Sequence, residues 1–237
     1  MSTFVLVHGA WHGSWCWRRV RRLLQLAGHE VFTPTLTGLA ERSHLLTRDV
    51  NLSTHVGDVL SLIRWEELAD VLLCGHSYGG AVASGVADRI PDHIRALVYL
   101  DAFVLESGEN VLENVHESQR NLLIETTLKL GEGWKSPHVP AAVFNVNAAD
   151  RDWVDRQCTP HPFACFEERL SLQGGLETLR SVTYIRASGW EDTPFPRAHA
   201  RARARGWRTA SMACGHDVML DAPEELTRAL IEAAQAS

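Results

Sequence analysis

Residues 71–82 read Val-Leu-Leu-Cys-Gly-His-Ser-Tyr-Gly-Gly-Ala-Val, and this stretch decides the fold. The apolar run Val71–Cys74 is too short for a helix and is typical of a buried strand, whereas the residues from Gly79 to Ile90 favour a helix. Between them, the pattern G-x-S-x-G places small residues two positions before and after Ser77, as a sharp strand-to-helix turn requires. The stretch therefore predicts a strand, a tight turn that lifts the Ser77 hydroxyl above a sheet, and a helix.

The rest of the chain alternates strand-like and helix-like segments. Short apolar or β-branched runs predict strands at Phe4–Val7, Glu30–Thr33, Ala96–Leu100, Val182–Arg186 and Arg208–Met212. Amphipathic stretches predict helices at Trp17–Ala27, Leu52–Arg64 and Pro223–Ala234. Strands that alternate with helices indicate an α/β fold, in which helices cover both faces of a mainly parallel sheet.

Residues 105–180 interrupt this alternation. They contain few strand-like runs and many helix-forming residues, and they are punctuated by Pro137, Pro140, Pro160 and Pro162. We therefore predict a helical cap at 105–180, inserted into a core formed by 1–104 and 181–237. Ligands of open α/β sheets bind at the carboxyl edge of the strands, so the cap is expected to cover that edge.

The composition excludes several classes of protein. The 237 residues carry 23 Lys and Arg against 29 Asp and Glu, and this net charge of −6 argues against nucleic-acid binding. No window approaches the roughly 18 consecutive apolar residues of a membrane span, and no signal peptide is predicted at the amino terminus. The arginine-rich run 197–208 is interpreted as a solvated helix face.

The spacing of cysteines and histidines predicts neither disulfides nor a metal site. The five cysteines are an odd number without a CxxC pair, which favours reduced thiols in a cytoplasmic protein. The twelve histidines include no HExxH pair or other clear ligand spacing. We therefore assign no metal.

The loop after the first strand, His8-Gly9-Ala10-Trp11-His12-Gly13, is a candidate oxyanion hole. Its backbone can offer one N–H, assigned to Ala10, which would act together with the N–H of Tyr78. Two preorganised donors are needed because negative charge develops on a carbonyl oxygen only in the transition state.

His216 is the candidate base. A serine hydroxyl is a poor nucleophile at neutral pH and needs an imidazole that accepts its proton. His216 lies between the last predicted strand and the last helix, where such a base is expected.

Asp101 and Asp192 both fit as the carboxylate partner of His216. Asp101 ends a strand, where a buried carboxylate is costly unless it is paired, whereas Asp192 lies in a later loop and could be solvated. Asp101 is favoured, and both stay open.

The motifs VLVHGAWHGSWCW (5–17), CGHSYGG (74–80), LVYLDAF (97–103) and CGHDVM (214–219) together resemble the α/β-hydrolase superfamily. Within it, the chain resembles the branch of plant methyl esterases and hydroxynitrile lyases and its bacterial esterase relatives. The resemblance implies an α/β-hydrolase fold with an eight-stranded, mainly parallel sheet, a helical cap after the sixth strand, and no cofactor. It also implies that Ser77 is the nucleophile, His216 the base, and the backbone of Ala10 and Tyr78 the oxyanion hole.

The sequence departs from the lyases of this branch at two positions. Gly9 stands where they carry a threonine, and Asp217 follows the histidine where they carry a lysine. Without a cation there, nothing is expected to stabilise departing cyanide, so ester hydrolysis is preferred. The plant esterases place the acid after the later strand, but the segment 184–192 is longer here than in their pattern, and Asp101 resembles the position used by other hydrolases.

We therefore predict a cytoplasmic serine hydrolase that cleaves a small to medium carboxylic ester through an acyl-enzyme. Trp11 is a candidate substrate-binding residue, and an apolar or aromatic small molecule is the expected substrate. The alternatives are a hydroxynitrile lyase or C–C bond hydrolase on the same triad, and a ligand-binding protein that kept the pocket without catalysis. Neither nucleic acid nor a membrane is an expected partner, and assembly into a homodimer stays open.

Overall fold

A parallel sheet forms the centre of the molecule. The computed structural model describes residues 1–190 and 194–236. Over these residues the strands are β1 (Thr3–Val7), β2 (Glu30–Phe32), β3 (Val71–His76), β4 (Ile94–Leu100), β5 (Lys135–Ser136), β6 (His161–Pro162), β7 (Val182–Ala187) and β8 (Arg208–Met212). Six of them form one sheet in the order β2-β1-β3-β4-β7-β8, with every neighbouring pair parallel. The inner strands β3 and β4 are almost wholly buried, whereas the edge strand β2 is partly exposed and the edge strand β8 is largely exposed.

Helices cover both faces of this sheet. In the described ranges they are α1 (Arg18–Leu26), α2 (Leu52–Trp65), α3 (Gly79–Arg89), α4 (Glu117–Leu130), α5 (Arg151–Gln157), α6 (Ala164–Glu167), α7 (Pro196–Ala204), α8 (Val218–Asp221) and α9 (Pro223–Gln235). Successive residues of a strand point to opposite faces. Accordingly, Phe4 and Leu6 of β1 share a buried cluster with α1 and α9, while Val5 and Val7 share another with α2 and α3. No helix in the described ranges is long and apolar enough to cross a membrane.

The predicted strands and helices of the core are confirmed to within a few residues, but the strand count implied by the resemblance is not. The described sheet has six strands, and each corresponds to one of the apolar runs identified in the sequence. The two additional strands came from the resemblance alone and had no residue pattern behind them. The insertion also follows the fourth strand of this sheet in chain order, not a sixth.

The insertion between β4 and β7 consists of helices joined by long turn and loop segments. It contains α4, α5 and α6 together with the short antiparallel pair β5–β6. Near its end, the buried carboxylate of Asp88 in α3 accepts hydrogen bonds from the backbone N–H groups of Gln173, Gly174 and Leu176 at 2.7, 3.0 and 3.1 Å. The division into a core and a cap at 105–180 stays a prediction.

The arginine-rich segment is more than a solvated face. In α7, Arg201 forms a two-pronged ion pair with Glu109, with both N–O distances at 2.6 Å, and the next residue after the helix, Arg205, bonds Glu106 at 2.7 Å. The hydrogen bonds from Arg201 lower the pKa of Glu109 to about 2. These pairs fasten α7 to the start of the insertion, which the pattern of alternating arginines could not predict because their partners are distant in sequence.

Leu73 provides a test of this packing. It is fully buried in β3, so Leu73→Ala is expected to lower the free energy of unfolding by about 2–5 kcal/mol through lost apolar burial and the cavity left behind. The control Leu26→Ala, at a side chain that is 75% exposed, should change it by less than about 0.5 kcal/mol. Guanidinium unfolding followed by circular dichroism measures both, and equal losses would contradict the position of Leu73 in the core.

Candidate active site

Ser77 occupies a sterically crowded turn between β3 and α3. A Cβ at Gly75 would lie 2.3 Å from the Gly79 carbonyl oxygen, and one at Gly79 would lie 2.7 Å from the His8 carbonyl oxygen. Ser77 itself has a left-handed backbone with φ of 54°, a strained conformation that persists only where its surroundings enforce it. The predicted strand, turn and helix are confirmed, and Ser77 lines a cavity.

The structure brings His216 and Asp101 together. Nδ1 of His216 lies 2.7 Å from Oδ2 of Asp101, and the two side chains are 4% and 0% exposed. The second carboxylate oxygen of Asp101 accepts the backbone N–H of Ala187 at 3.2 Å. Because a carboxylate accepts, Nδ1 of His216 donates, and Nε2 keeps the lone pair that a general base needs.

The other candidate acid, Asp192, lies outside the described residues. Among the described carboxylates, Asp101 is the one that bonds the His216 ring. A buried carboxylate is costly unless it is paired. Asp101 is fully buried at the end of β4, and two hydrogen-bond donors compensate its charge.

Aromatic side chains fix the orientation of the His216 ring. The ring centroids of Trp190, Phe144 and Phe195 lie 4.6, 5.3 and 5.4 Å from it. The backbone N–H of His216 also donates to the Phe144 carbonyl at 2.9 Å. Phe144 belongs to the insertion, so the insertion helps to position the candidate base.

The two candidate oxyanion donors line the same cavity as Ser77. Tyr78 precedes the first turn of α3, where N–H groups lack helical partners and favour negative charge. Ala10 lies in the loop after β1 and also borders the cavity. Within the described chain, no protein acceptor bonds the N–H of Ala10 or that of Tyr78, so both remain available to a ligand.

His8 controls the orientation of the Ala10 N–H. Its Nδ1 donates to the carbonyl of Gly9, which belongs to the same peptide group as that N–H, at 2.8 Å. Its Nε2 accepts the backbone N–H of Leu36 at 3.1 Å. Burial lowers the pKa of His8 to about 3, so the ring stays neutral and serves as donor on one side and acceptor on the other. No role was assigned to His8 from the sequence.

Trp11 connects the first loop to the insertion. Its backbone is left-handed with φ of 64°, and three hydrogen bonds hold it. Its N–H donates to Nδ1 of His161 at 3.3 Å, its carbonyl accepts the N–H of Thr159 at 2.9 Å, and its indole N–H donates to the Ser136 carbonyl at 3.1 Å. Trp11 also lines the cavity. It therefore borders the space that a ligand could occupy and is bonded to Ser136, Thr159 and His161 of the insertion.

The cavity at the carboxyl edge of the sheet has a volume of about 330 Å³ and is mainly apolar. The insertion supplies much of its wall, including Val111, Leu122, Leu123, Leu130, Val143 and Phe166. No lysine or arginine is among the described residues that line it. A volume near the lower end of ordinary ligand pockets fits a small to medium uncharged molecule.

A buried charged pair beside His216 was missed by sequence reasoning. The fully buried carboxylate of Asp217 accepts a hydrogen bond from Nε2 of His12 at 3.0 Å. Burial opposes the charge of both groups, but their mutual attraction outweighs it, so the pKa of Asp217 lies well below its usual range and that of His12 is raised. The two residues are 205 positions apart in the chain, so no local spacing could have revealed the pair.

Two groups of buried side chains are close enough to share a metal ion: His55, His161 and Cys165, and His76, His216 and Asp217. Several of their ring nitrogens already have protein partners, although Nε2 of His161 and Nδ1 of His76 have none among the described residues. His55 bonds the Thr37 carbonyl and the Tyr78 hydroxyl, both at 2.9 Å, and His76 donates to the His216 carbonyl at 3.0 Å. These bonds would compete with a metal. The assignment of no metal and no cofactor stays a prediction.

Comparison with known sequences gives one family and a set of named esterases. The model of the Alpha/beta hydrolase family matches residues 4–229. A carbendazim hydrolyzing esterase from Nocardioides sp. (strain SG-4G) is 46% identical over 242 aligned positions, covering 97% of this chain and 98% of that protein. Salicylic acid-binding protein 2 from Nicotiana tabacum is 40% identical over 121 aligned positions, which cover 48% of this chain and 45% of that protein.

Solved structures share the fold at lower sequence identity. An extracellular alpha/beta-hydrolase from a Paenibacillus species superposes with a TM-score of 0.86 at 22% identity, covering 98% of this chain and 99% of the other. The methylesterase MES16 from Arabidopsis superposes with a TM-score of 0.77 at 22% identity, and the superposition covers 99% of both chains. At this identity the likeness establishes the architecture and leaves the chemistry to the site.

The acid of the triad can be identified by two matched substitutions. We expect Asp101→Asn to lower kcat toward p-nitrophenyl acetate by about 10³- to 10⁴-fold, because an amide neither holds the imidazole in the required tautomer nor stabilises the imidazolium. Asp192→Asn should leave kcat nearly unchanged. The initial rates of both purified variants would be compared with the wild type; a large loss in Asp192→Asn alone would transfer the role to Asp192, and small, equal losses would exclude both.

Proposed function

The chain belongs to the alpha/beta hydrolase family, and we propose that within it the protein is a serine esterase that cleaves a small to medium carboxylic ester through an acyl-enzyme. The observation that carries the proposal is the 2.7 Å hydrogen bond between the buried Asp101 and His216, at a cavity that Ser77 also lines. Ester hydrolysis is further supported by the esterase relative that matches nearly the whole chain.

In the first half of the proposed reaction, Nε2 of His216 removes the proton of the Ser77 hydroxyl as Oγ attacks the ester carbonyl carbon. The carbon–oxygen π bond opens into a tetrahedral intermediate with a negatively charged oxygen. When that intermediate collapses, the bond to the alkoxy group breaks. The alcohol leaves with the proton that His216 had accepted, and the acyl group stays on Ser77.

In the second half, water replaces the alcohol. His216 takes a proton from water as its oxygen attacks the acyl carbon, and the second tetrahedral intermediate releases Ser77 with that proton returned to Oγ. The products are a carboxylic acid and the alcohol. Asp101 stays ionised throughout, because its role is to orient the imidazole and to stabilise the imidazolium.

Backbone donors are assigned to the charge that develops on the carbonyl oxygen. The N–H of Ala10 and that of Tyr78 border the cavity without a protein acceptor in the described chain. Preorganised donors of this kind stabilise the transition state more than the ground state, and the loss of one typically costs about 10²- to 10³-fold in kcat.

Residues 105–180 are assigned as the cap, and the cavity that they help to form suggests an apolar or aromatic substrate. Burying a charged group in such a cavity without a partner would be costly. The relative named for carbendazim hydrolysis makes that aromatic compound a suitable second probe. Trp11 is assigned to the substrate wall, while a cytoplasmic location and a homodimer stay predictions.

Asp217 favours hydrolysis over cyanohydrin cleavage. The resemblance to lyases would require a lysine at this position to stabilise cyanide, whereas Asp217 is acidic, fully buried and bonded to His12. Because His12 balances the charge of Asp217, the pair supplies no free cation that could stabilise a departing cyanide.

The first test compares the wild type with Ser77→Ala on p-nitrophenyl acetate. We expect hydrolysis by the wild type and a loss of about 10⁴-fold or more in kcat for the variant, because the covalent intermediate cannot form. Treatment with a fluorophosphonate and peptide mass spectrometry should place the adduct on Ser77. Ser107→Ala, at an exposed serine of the insertion, is the matched control and should retain activity.

Three results would contradict the proposal. Activity that survives in Ser77→Ala would exclude Ser77 as the nucleophile. Cleavage of mandelonitrile without hydrolysis of any ester would favour the lyase. A wild-type protein that neither turns over esters nor reacts with the fluorophosphonate, but binds aromatic esters, would favour the binding protein.

The apolar wall of the cavity predicts discrimination against charge. We expect kcat/KM for p-nitrophenyl butyrate to exceed that for the p-nitrophenyl hemisuccinate by at least about tenfold, since the extra carboxylate would be desolvated without a described lysine or arginine to pair with it. The two esters share a leaving group and nearly the same acyl length, so equal kcat/KM values would exclude burial of the acyl group in this cavity.

A further inference from the structure

His12 lies between the two loops that carry the candidate catalytic groups. It belongs to the loop after β1, and its Nδ1 lies 2.8 Å from the Ala10 carbonyl oxygen. On the other side of the ring, Nε2 lies 3.0 Å from Oδ2 of Asp217, the residue that follows His216. The side chains of His12 and Asp217 are 4% and 0% exposed, so both bonds are shielded from water.

The hydrogen-bond partners determine the charge of this ring. A backbone carbonyl can only accept, so Nδ1 of His12 must carry a hydrogen. The carboxylate of Asp217 also accepts, so Nε2 carries one as well. A histidine that donates from both nitrogens is an imidazolium, and His12 and Asp217 therefore form a buried ion pair.

The pKa directions agree with this count of protons. Burial alone would lower the pKa of His12, but the charge of Asp217 and the hydrogen bonds to Asp217 and Ala10 raise it. Burial alone would raise the pKa of Asp217, but His12 lowers it through its charge and its hydrogen bond.

We propose that His12 and Asp217 are positioning residues, which as a charged pair tie the Ala10 backbone of the oxyanion hole to the loop that carries His216. The proposal rests on the proposed function, since it assigns roles within that site. Ala10 is held from both sides: His8 bonds the carbonyl before it and His12 bonds its own carbonyl. Of these two contacts, the one from His12 also extends to the catalytic loop.

The other titratable groups around the pair do not supply its positive charge. Besides His216, they are the imidazoles of His8 and His76 and the thiols of Cys16 and Cys158, and Nε2 of His76 lies 3.9 Å from Oδ1 of Asp217. Burial lowers the pKa of both imidazoles and raises the pKa of both thiols, so all four are neutral near pH 7. The ring of Trp15, which stacks on His12 at 5.0 Å, carries no charge. His12 is therefore the cation that balances Asp217 while His216 is neutral.

The ion pair makes the position of Ala10 dependent on pH. The pKa of His12 is raised above its unfolded value of about 6.5, so the stabilisation from the pair is complete below that value. It is lost as the pH rises through the folded pKa. The neutral ring keeps the hydrogen that faces the carboxylate, which is the stronger acceptor, so the hydrogen bond from Nδ1 to the Ala10 carbonyl disappears. We therefore expect an alkaline decrease of kcat at that pH.

The charge state can be tested without any substrate. Long-range ¹H–¹⁵N NMR spectra of the wild type at about pH 7.5 should show both ring nitrogens of His12 protonated, a unit above the ordinary imidazole pKa. His12→Gln identifies the resonances by their disappearance. Asp217→Asn should leave His12 with one protonated nitrogen, because the counter-charge that opposes burial is gone. A neutral His12 in the wild type would overturn the proposal.

The kinetic test uses the same two variants. We expect His12→Gln and Asp217→Asn each to lower kcat for p-nitrophenyl acetate by about 10- to 100-fold with KM changed less than about twofold, because a misplaced donor mainly affects the transition state. The alkaline limb of kcat should disappear in His12→Gln and shift to lower pH in Asp217→Asn. The double variant should be no worse than the poorer single one, because each removes the same interaction.

Asp88→Asn is the matched control for a merely structural effect. Asp88 is also a buried carboxylate with several donors; it lies at the end of α3 opposite to Ser77 and accepts hydrogen bonds from backbone N–H groups of the insertion. It should lose stability while keeping the wild-type pH profile. Variants of the pair that kept wild-type kcat, or that lost it with the pH profile unmoved, would overturn the positioning role. If the wild type hydrolyses no ester, the proposed function fails, and the NMR measurement still decides whether the pair is charged.

Discussion

The arrangement of the site depends on one steric constraint, the close approach of α3 to β3 at Gly75 and to the end of β1 at Gly79. Neither position has room for a Cβ, and the chain passes from strand to helix over Ser77 and Tyr78, with Ser77 in a left-handed conformation. Because β1 and β4 are the neighbours of β3 in the sheet, the loops that follow them converge on the same point. The Ser77 N–H bonds the Leu100 carbonyl at 3.2 Å, which brings the end of β4, and with it the next residue, beside the serine.

Much of the fold could be predicted because its signals are local. Runs such as Val71–Cys74 lie in inner strands and are apolar on both faces, which no surface segment would tolerate, and the glycines around Ser77 report a turn that only small residues permit. The resemblance, by contrast, implied two strands that no residue pattern supported, and the described sheet lacks them. The ion pairs between α7 and the insertion were also beyond prediction, since Glu106 and Glu109 are about a hundred positions from their partners.

For the site, the sequence identified the candidate residues that directly follow predicted strands. It did not identify residues whose role depends on a hydrogen-bond partner that is distant in the chain. Ser77, His216 and Asp101 each follow a strand, and parallel strands end at one edge. Asp101 was also favoured on an energetic ground, the cost of an unpaired buried carboxylate, and it is bonded to His216. His8 and His12 had no such signal, because a histidine in a loop is uninformative until the acceptor of each ring nitrogen is known.

The three hydrogen bonds that Trp11 makes with residues 136, 159 and 161 bear on how such enzymes could be recombined. Segment 105–180 is contiguous in the chain and therefore looks exchangeable between relatives. Its backbone nevertheless completes the first loop, one residue from Ala10. A chimera that received a foreign segment would need an acceptor for the Trp11 N–H and a donor for the Trp11 carbonyl. Without them, the left-handed backbone of Trp11 would lose the hydrogen bonds that hold it. Exchange of the segment alone would therefore change the lining of the cavity and the support of the first loop at the same time.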